Sequence, residues 1–158
     1  MCQYNSEPVH EAENDIICYK VLRKSQAPRD KIIGENVKLK KVYVSPYFKS
    51  PNYEAGGTYT DQSTIEKGLV DRGFGGGREL IIHGGLFHFV QSEEDADNLI
   101  HFMREIWDYG YEYGIAKCLI PAGTLISKGT FTDFCDPSSV CCESICAKTF
   151  KILEIVEY

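Results

Sequence analysis

The spacing of apolar residues along this chain is short-range and strand-like almost everywhere, and it changes to a helical period only once. Ile81-Ile82-His83-Gly84-Gly85-Leu86-Phe87-His88-Phe89-Val90 reads as a buried strand region rich in β-favouring side chains. Ser92, followed by Glu93, Glu94 and Asp95, then supplies an N-cap and an acidic first turn, which suit the positive end of a helix. Ala96, Leu99, Ile100, Met103 and Trp107 recur at helical spacing, so an amphipathic helix is predicted over residues 93–107. Gly110 and Gly114 end it.

Other segments keep the strand pattern. Ile16-Ile17-Cys18-Tyr19-Lys20-Val21-Leu22 is the first strand, and residues 37–44 alternate with Val37, Leu39, Val42 and Val44 inward. Gly56-Gly57-Thr58-Tyr59-Thr60 is a turn into a short extended piece, and further strands are predicted at residues 115–121, around Leu125-Ile126 and Gly129-Thr130-Phe131, and at residues 149–156. Pro46 and Pro51 break the stretch between them into a surface loop with anchoring rings. The expectation is a compact α+β fold: a mostly antiparallel sheet of six or seven short strands with one main helix. Residues 1–15, which carry Glu7, Glu11, Glu13 and Asp15, form a flexible lead-in to a single domain at 16–158.

Composition narrows the function. At 158 residues and 43% hydrophobic, the chain can bury a core of its own. A formal charge of −6 argues against binding a nucleic-acid duplex, because that binding depends on lysine and arginine neutralising phosphates. Residues 1–15 lack the apolar core of a secretory signal, and no run approaches the ~20 apolar residues needed to span a membrane. A cytoplasmic location with reduced thiols is therefore expected.

The seven cysteines are too many and too odd in number to pair fully within the chain. Cys18 and Cys118 lie in apolar strand segments and read as small hydrophobes. Cys135, Cys141, Cys142 and Cys146 are spaced C-x5-C-C-x3-C, unlike the paired C-x2-C of structural zinc sites. Packing or surface thiols are the expectation there, with zinc or an intermolecular disulfide as the alternatives.

Candidate ligand chemistry gathers around the central stretch. In Gly73-Phe74-Gly75-Gly76-Gly77-Arg78, glycines permit close approach of backbone N–H groups to an anion, and Arg72 and Arg78 can add bidentate contacts. A strand follows, whereas phosphate loops open a helix, so a hairpin or lid loop is the competing reading. His83 and His88 flank the twin glycines and fall on opposite faces of a regular strand, unless a bulge intervenes. Neither has an evident nucleophile to serve, and a satisfied or surface imidazole is the plain alternative. Tyr19, Tyr59 and the other loop tyrosines suit ring stacking as well as ordinary strand packing.

Tyr19-Lys20-Val21, Gly57-Thr58-Tyr59, Phe87-His88-Phe89, Glu94-Asp95-Ala96 and Phe150-Lys151-Ile152-Leu153-Glu154, in that order, resemble a group of small phage and bacterial α+β domains, mostly uncharacterised. Gly84, Phe87, Phe89 and Ala96 also bear a distant resemblance to the ADP-ribosyltransferase pattern, with His88 at the stacking tyrosine position and Leu86 where a second glycine belongs. That second resemblance implies NAD as a substrate.

No complete catalytic set is present, so the leading expectation is a non-enzymatic binding protein of phage or mobile-element type without a resident cofactor. Its partner is a small nucleotide-like anion or a host protein, met by Arg72, Gly75, Gly76, Gly77, Arg78, His83, His88, Tyr19 and Tyr59. The rivals are an ADP-ribosyltransferase-like enzyme and a structural or assembly protein forming a homo-oligomer.

Overall fold

The protein is described by a computed structural model covering residues 2–5, 7–26, 41–46, 50–70, 79–106, 110–132 and 142–158, with the backbone alone at 2–5, 26, 41, 66–70, 79–83, 106 and 132. In chain order the strands are β1 (Cys2–Asn5), β2 (His10–Glu11), β3 (Ile16–Gln26), β4 (Lys41–Val44), β5 (Thr58–Thr60), β6 (Glu66–Val70), β7 (Glu79–Gly84) and β8 (Phe87–Val90). Helix α1 (Glu93–Ile106) follows, then β9 (Tyr113–Ile120), β10 (Leu125–Thr132), β11 (Cys142–Ala147) and β12 (Thr149–Glu157).

All pairings are antiparallel, in the order β5-β12-β9-β3-β8-β11-β10-β1-β7-β6, with β2 beside β10 and β4 beside β3. The α+β expectation of a mostly antiparallel sheet with one helix is met among the described residues, but they form twelve strands rather than six or seven. Some of the additional strands are only two to four residues long, too short for alternation to show. Two of them come from the acidic stretch 1–15: β1 pairs with β10 and β7, and β2 pairs with β10. Ala12, just beyond β2, is buried.

Alternation along each strand sorts the side chains onto two faces. On one face Val21 and Val90 meet Ala96, Leu99, Ile100 and Met103, the buried stripe of α1. The cap expected from sequence is present: Ser92 Oγ accepts from the Asp95 N–H at 3.0 Å and donates to the Asp95 carboxylate at 2.7 Å. On the other face Cys18, Leu22, Phe89, Cys118, Ile120 and Ile152 form the larger core. Its centre is Phe150, which meets the rings of Tyr53, Tyr59, Phe87 and Phe89 at centroid distances of 4.8 to 5.9 Å. Among the described residues no helix is long and apolar enough to cross a membrane.

One glycine is required by its surroundings. Gly85 has φ of 81°, and a Cβ there would lie against the Thr64 carbonyl and 2.6 Å from the Ile65 Cα. Here the expected run 81–90 breaks into two strands. β7 and β8 are separated in the sheet by β11, β10 and β1, so His83 and His88 do not share a strand.

Removing the ring at the centre of the larger core tests this packing. Phe150→Ala is expected to lower the unfolding free energy by ~3–5 kcal/mol in urea titrations. A loss below about 1 kcal/mol would contradict the central position assigned to that ring.

Candidate functional site

The site originates in a gap along one edge of β3. The opposite edge pairs with β9 without interruption from Ile16 to Arg23. The near edge meets β8 at Tyr19↔Val90 alone, and then meets β4 from Arg23↔Val44 onward. Were the β8 ladder to continue, Val21 would face His88. Instead the strands part, and Lys20 bridges them: its Nζ donates to the His88 carbonyl at 2.9 Å.

A cleft of about 750 Å³ opens at this parting. Tyr19, Lys20 and Val21 of β3 line one side, and Phe87, His88 and Phe89 of β8 line another. Ser45 and Pro46 after β4, Ser50, Tyr53, Tyr59 and the turn from Asp61 to Ser63 complete the wall. Its lining is predominantly aromatic and apolar with a few hydroxyls, the usual make-up of small-molecule sites.

Local bonding holds these walls in place. Gly57 leaves room for the Tyr59 hydroxyl, which would come within 2.5 Å of a Cβ at that position. That hydroxyl accepts from the Glu54 N–H at 2.7 Å and donates to the Asn52 carbonyl, while the ring stacks on Phe150 at 5.3 Å. Tyr53 stands edge-on to Tyr59 at 4.9 Å. Asp61 accepts from the Ser63 N–H at 2.9 Å and from its hydroxyl, which closes the turn. Lys148 Nζ then ties this turn to the strand break by donating to the carbonyls of Ser63 and Gly85.

Lys20 is 6% exposed, an unusual burial for an ammonium. Its Nζ lies 5.1 Å from the Phe89 ring centroid and 5.9 Å from that of Tyr53. Burial strips water from the charge and pulls the amine pKa down to about 8. Thiolates of Cys118, Cys146 and Cys18 would act in the opposite direction. However, burial holds the Cys18 and Cys118 thiols well above their ordinary values, Cys118 at about 12, so both are protonated where Lys20 titrates. The His88 carbonyl and the two ring faces therefore supply the local compensation.

His88 projects to the helix side of β8. Its Nδ1 lies 3.4 Å from Cys146 Sγ, directly across the β8–β11 pair, and its ring stacks on Phe131 at 5.6 Å. Cys146 is fully buried, so the contact holds the imidazole in place from within the sheet.

Of the residues singled out from sequence, the structure brings Tyr19, Tyr59 and His88 together on this cleft, with Gly84 and Gly85 beside them. Arg72, Gly75, Gly76, Gly77 and Arg78 lie outside the described residues, as do Cys135 and Cys141; His83 is described only as backbone in β7. Cys142 and Cys146 are buried in β11 and form no disulfide. Among the described residues no three histidine, cysteine or acidic side chains are grouped to hold a metal.

Lys20 is the residue that sequence reasoning missed, whereas Tyr53 is one of the loop tyrosines already marked for stacking. A signal for Lys20 was present, since Cys18, Lys20 and Leu22 alternate with Tyr19 and Val21, which places a charged residue on the inward face of an apolar strand.

The depressed lysine has a consequence for stability. Between about pH 8 and the ordinary lysine value the unfolded chain holds more protons than the folded one, so stability rises with pH across that window. Below it the cost of the buried charge is fully present. Relative to Lys20→Met, the wild type should gain ~2–3 kcal/mol in urea unfolding between neutral pH and pH above ~10. A difference that does not change with pH would contradict the burial of the amine. Compared with known proteins, the chain matches no family model, no curated protein and no solved structure.

Proposed function

We propose that the protein binds a small anionic ligand carrying a flat ring, such as a nucleotide, in the cleft between β3 and β8. The observation that carries this reading is the buried ammonium of Lys20 on an aromatic-lined cleft of about 750 Å³. An ammonium has more donors than the one that His88 engages, and a buried cation gains most from an anionic partner. Tyr59 is fixed through its hydroxyl and packs edge-on against the buried Tyr53, so its ring is held for stacking at little entropic cost. The hydroxyls of Ser45 and Ser50 border the same space. Arg72, Arg78 and the glycine-rich segment between them remain part of the proposal as additional anion contacts.

A second reading, an ADP-ribosyltransferase-like activity on NAD, draws on one observation: Gly84, Phe87, His88 and Phe89, the residues of that resemblance, line this same cleft. It differs from the first in requiring turnover.

Thermal unfolding with AMP, ADP, cyclic AMP and NAD tests the binding reading. A ligand at about a hundred times its Kd should stabilise the native state by ~2.7 kcal/mol, and the shift should be lost in Lys20→Met. No shift with any of the four, or an undiminished shift in the variant, would overturn it. Nicotinamide released in the NAD mixture would favour the second reading, and its absence would remove it.

A further inference from the structure

The geometry points to Lys20 as an amine that captures a small anionic carbonyl compound as an imine within the cleft. This inference rests on the binding reading above and names the class of ligand. Three observations carry it. First, the Lys20 amine sits at the parting of β3 and β8, on the cleft wall, and its assigned acceptor is a carbonyl oxygen, not a carboxylate. Second, ring faces of Phe89 and Tyr53 flank it, which limits the water available to hydrolyse an imine. Third, the cleft exceeds what the lysine needs and includes the Tyr59 ring, 4.9 Å from that of Tyr53, as a surface for a conjugated carbonyl compound.

Three other described lysines are held differently. Lys24 pairs with Glu157 at 2.5 Å and with Glu112 at 3.5 Å, and the hydrogen bond to Glu157 pushes its pKa up. Lys117 faces Glu154 at 3.9 Å. Lys148 is engaged by two carbonyls. Desolvation gives Lys20 the opposite tendency, towards the neutral amine that attacks a carbonyl carbon. Among the described residues, the titratable groups acting on it are the thiols of Cys18, Cys118 and Cys146, with the Tyr53 phenol beside its Nζ. Asp61 lies on the same cleft wall, but no described carboxylate pairs with the amine.

The step balances without an oxidant or reductant. The ammonium releases a proton to water in the cleft, and the neutral nitrogen adds to the carbonyl carbon to give a carbinolamine. The carbinolamine oxygen then leaves as water, taking up the released proton together with one more from nitrogen, and the nitrogen returns to a single positive charge by forming the protonated C=N bond. The cation at the parting of the strands is therefore retained, and the ligand's phosphate or carboxylate still compensates it.

Pyridoxal 5′-phosphate, which combines ring, anion and aldehyde, is a suitable probe for the full chain. After incubation near pH 8 and borohydride reduction, peptide mapping should place the label on Lys20 in preference to Lys24 by at least about tenfold, as expected from the opposite shifts of the two amines. The labelling rate should rise through about pH 8, where Lys20 titrates. Label spread over the exposed lysines with Lys20 unmodified would overturn the inference. Pyridoxine 5′-phosphate, which lacks the aldehyde, separates the two claims. If it raises the unfolding midpoint while the aldehyde leaves Lys20 unlabelled, imine capture is wrong and anion binding stands. If neither compound acts on the protein, both are wrong for this ligand class. Because the map is read on the wild-type protein, the test does not depend on a variant folding.

Discussion

The hydrogen bond from Lys20 to the His88 carbonyl is the contact around which the cleft is organised. A strand edge must satisfy its backbone groups, and β8 leaves the β3 ladder after a single bridge. By donating to one of the carbonyls exposed there, the lysine lets the two strands part while remaining in one sheet. Space for a ligand and a buried cation thus arise from the same local event. The cost is desolvation of the ammonium, partly offset by ring faces and carried by the large core around Phe150.

Around that contact the molecule divides its tasks between two faces. Helix α1 and its partners on β3, β8 and β9 form one apolar layer, which anchors the strands from behind. On the opposite face the aromatic cluster of Tyr53, Tyr59, Phe87, Phe89 and Phe150 is both core and cleft wall. Residues that stabilise the fold therefore also shape the site. The turn from Asp61 to Ser63 and the Gly85 break are joined through Lys148, which fixes the rim to the sheet.

Much of this architecture was legible in the residues. Ser92 and Asp95 announced the helix start, and the Ala96, Leu99, Ile100, Met103 stripe announced its buried face. β3, β9 and β12 showed through their length and apolar content. Strands of two to four residues carry no usable period, so β1 and β2 were not legible, whereas the Gly56-Gly57 turn marked the entry to β5. The break at Gly84-Gly85 was visible as glycines, but its consequence, sending His83 and His88 to distant strands, depends on sheet order, which local pattern does not encode. For the site, Tyr19, Tyr59 and His88 were found because aromatic and imidazole groups attract notice. Lys20 was passed over because a lone lysine in a strand ordinarily points to water, and only the pairing of β3 with β8 and β4 shows that it does not.

The central claim is that Lys20 carries its amine in a desolvated position at the parting of β3 and β8. A heteronuclear NMR titration of the Lys20 side chain measures this directly. A midpoint near pH 8 is the expected result. A midpoint at the ordinary lysine value of about 10.4 would contradict it, because it would place the amine in water.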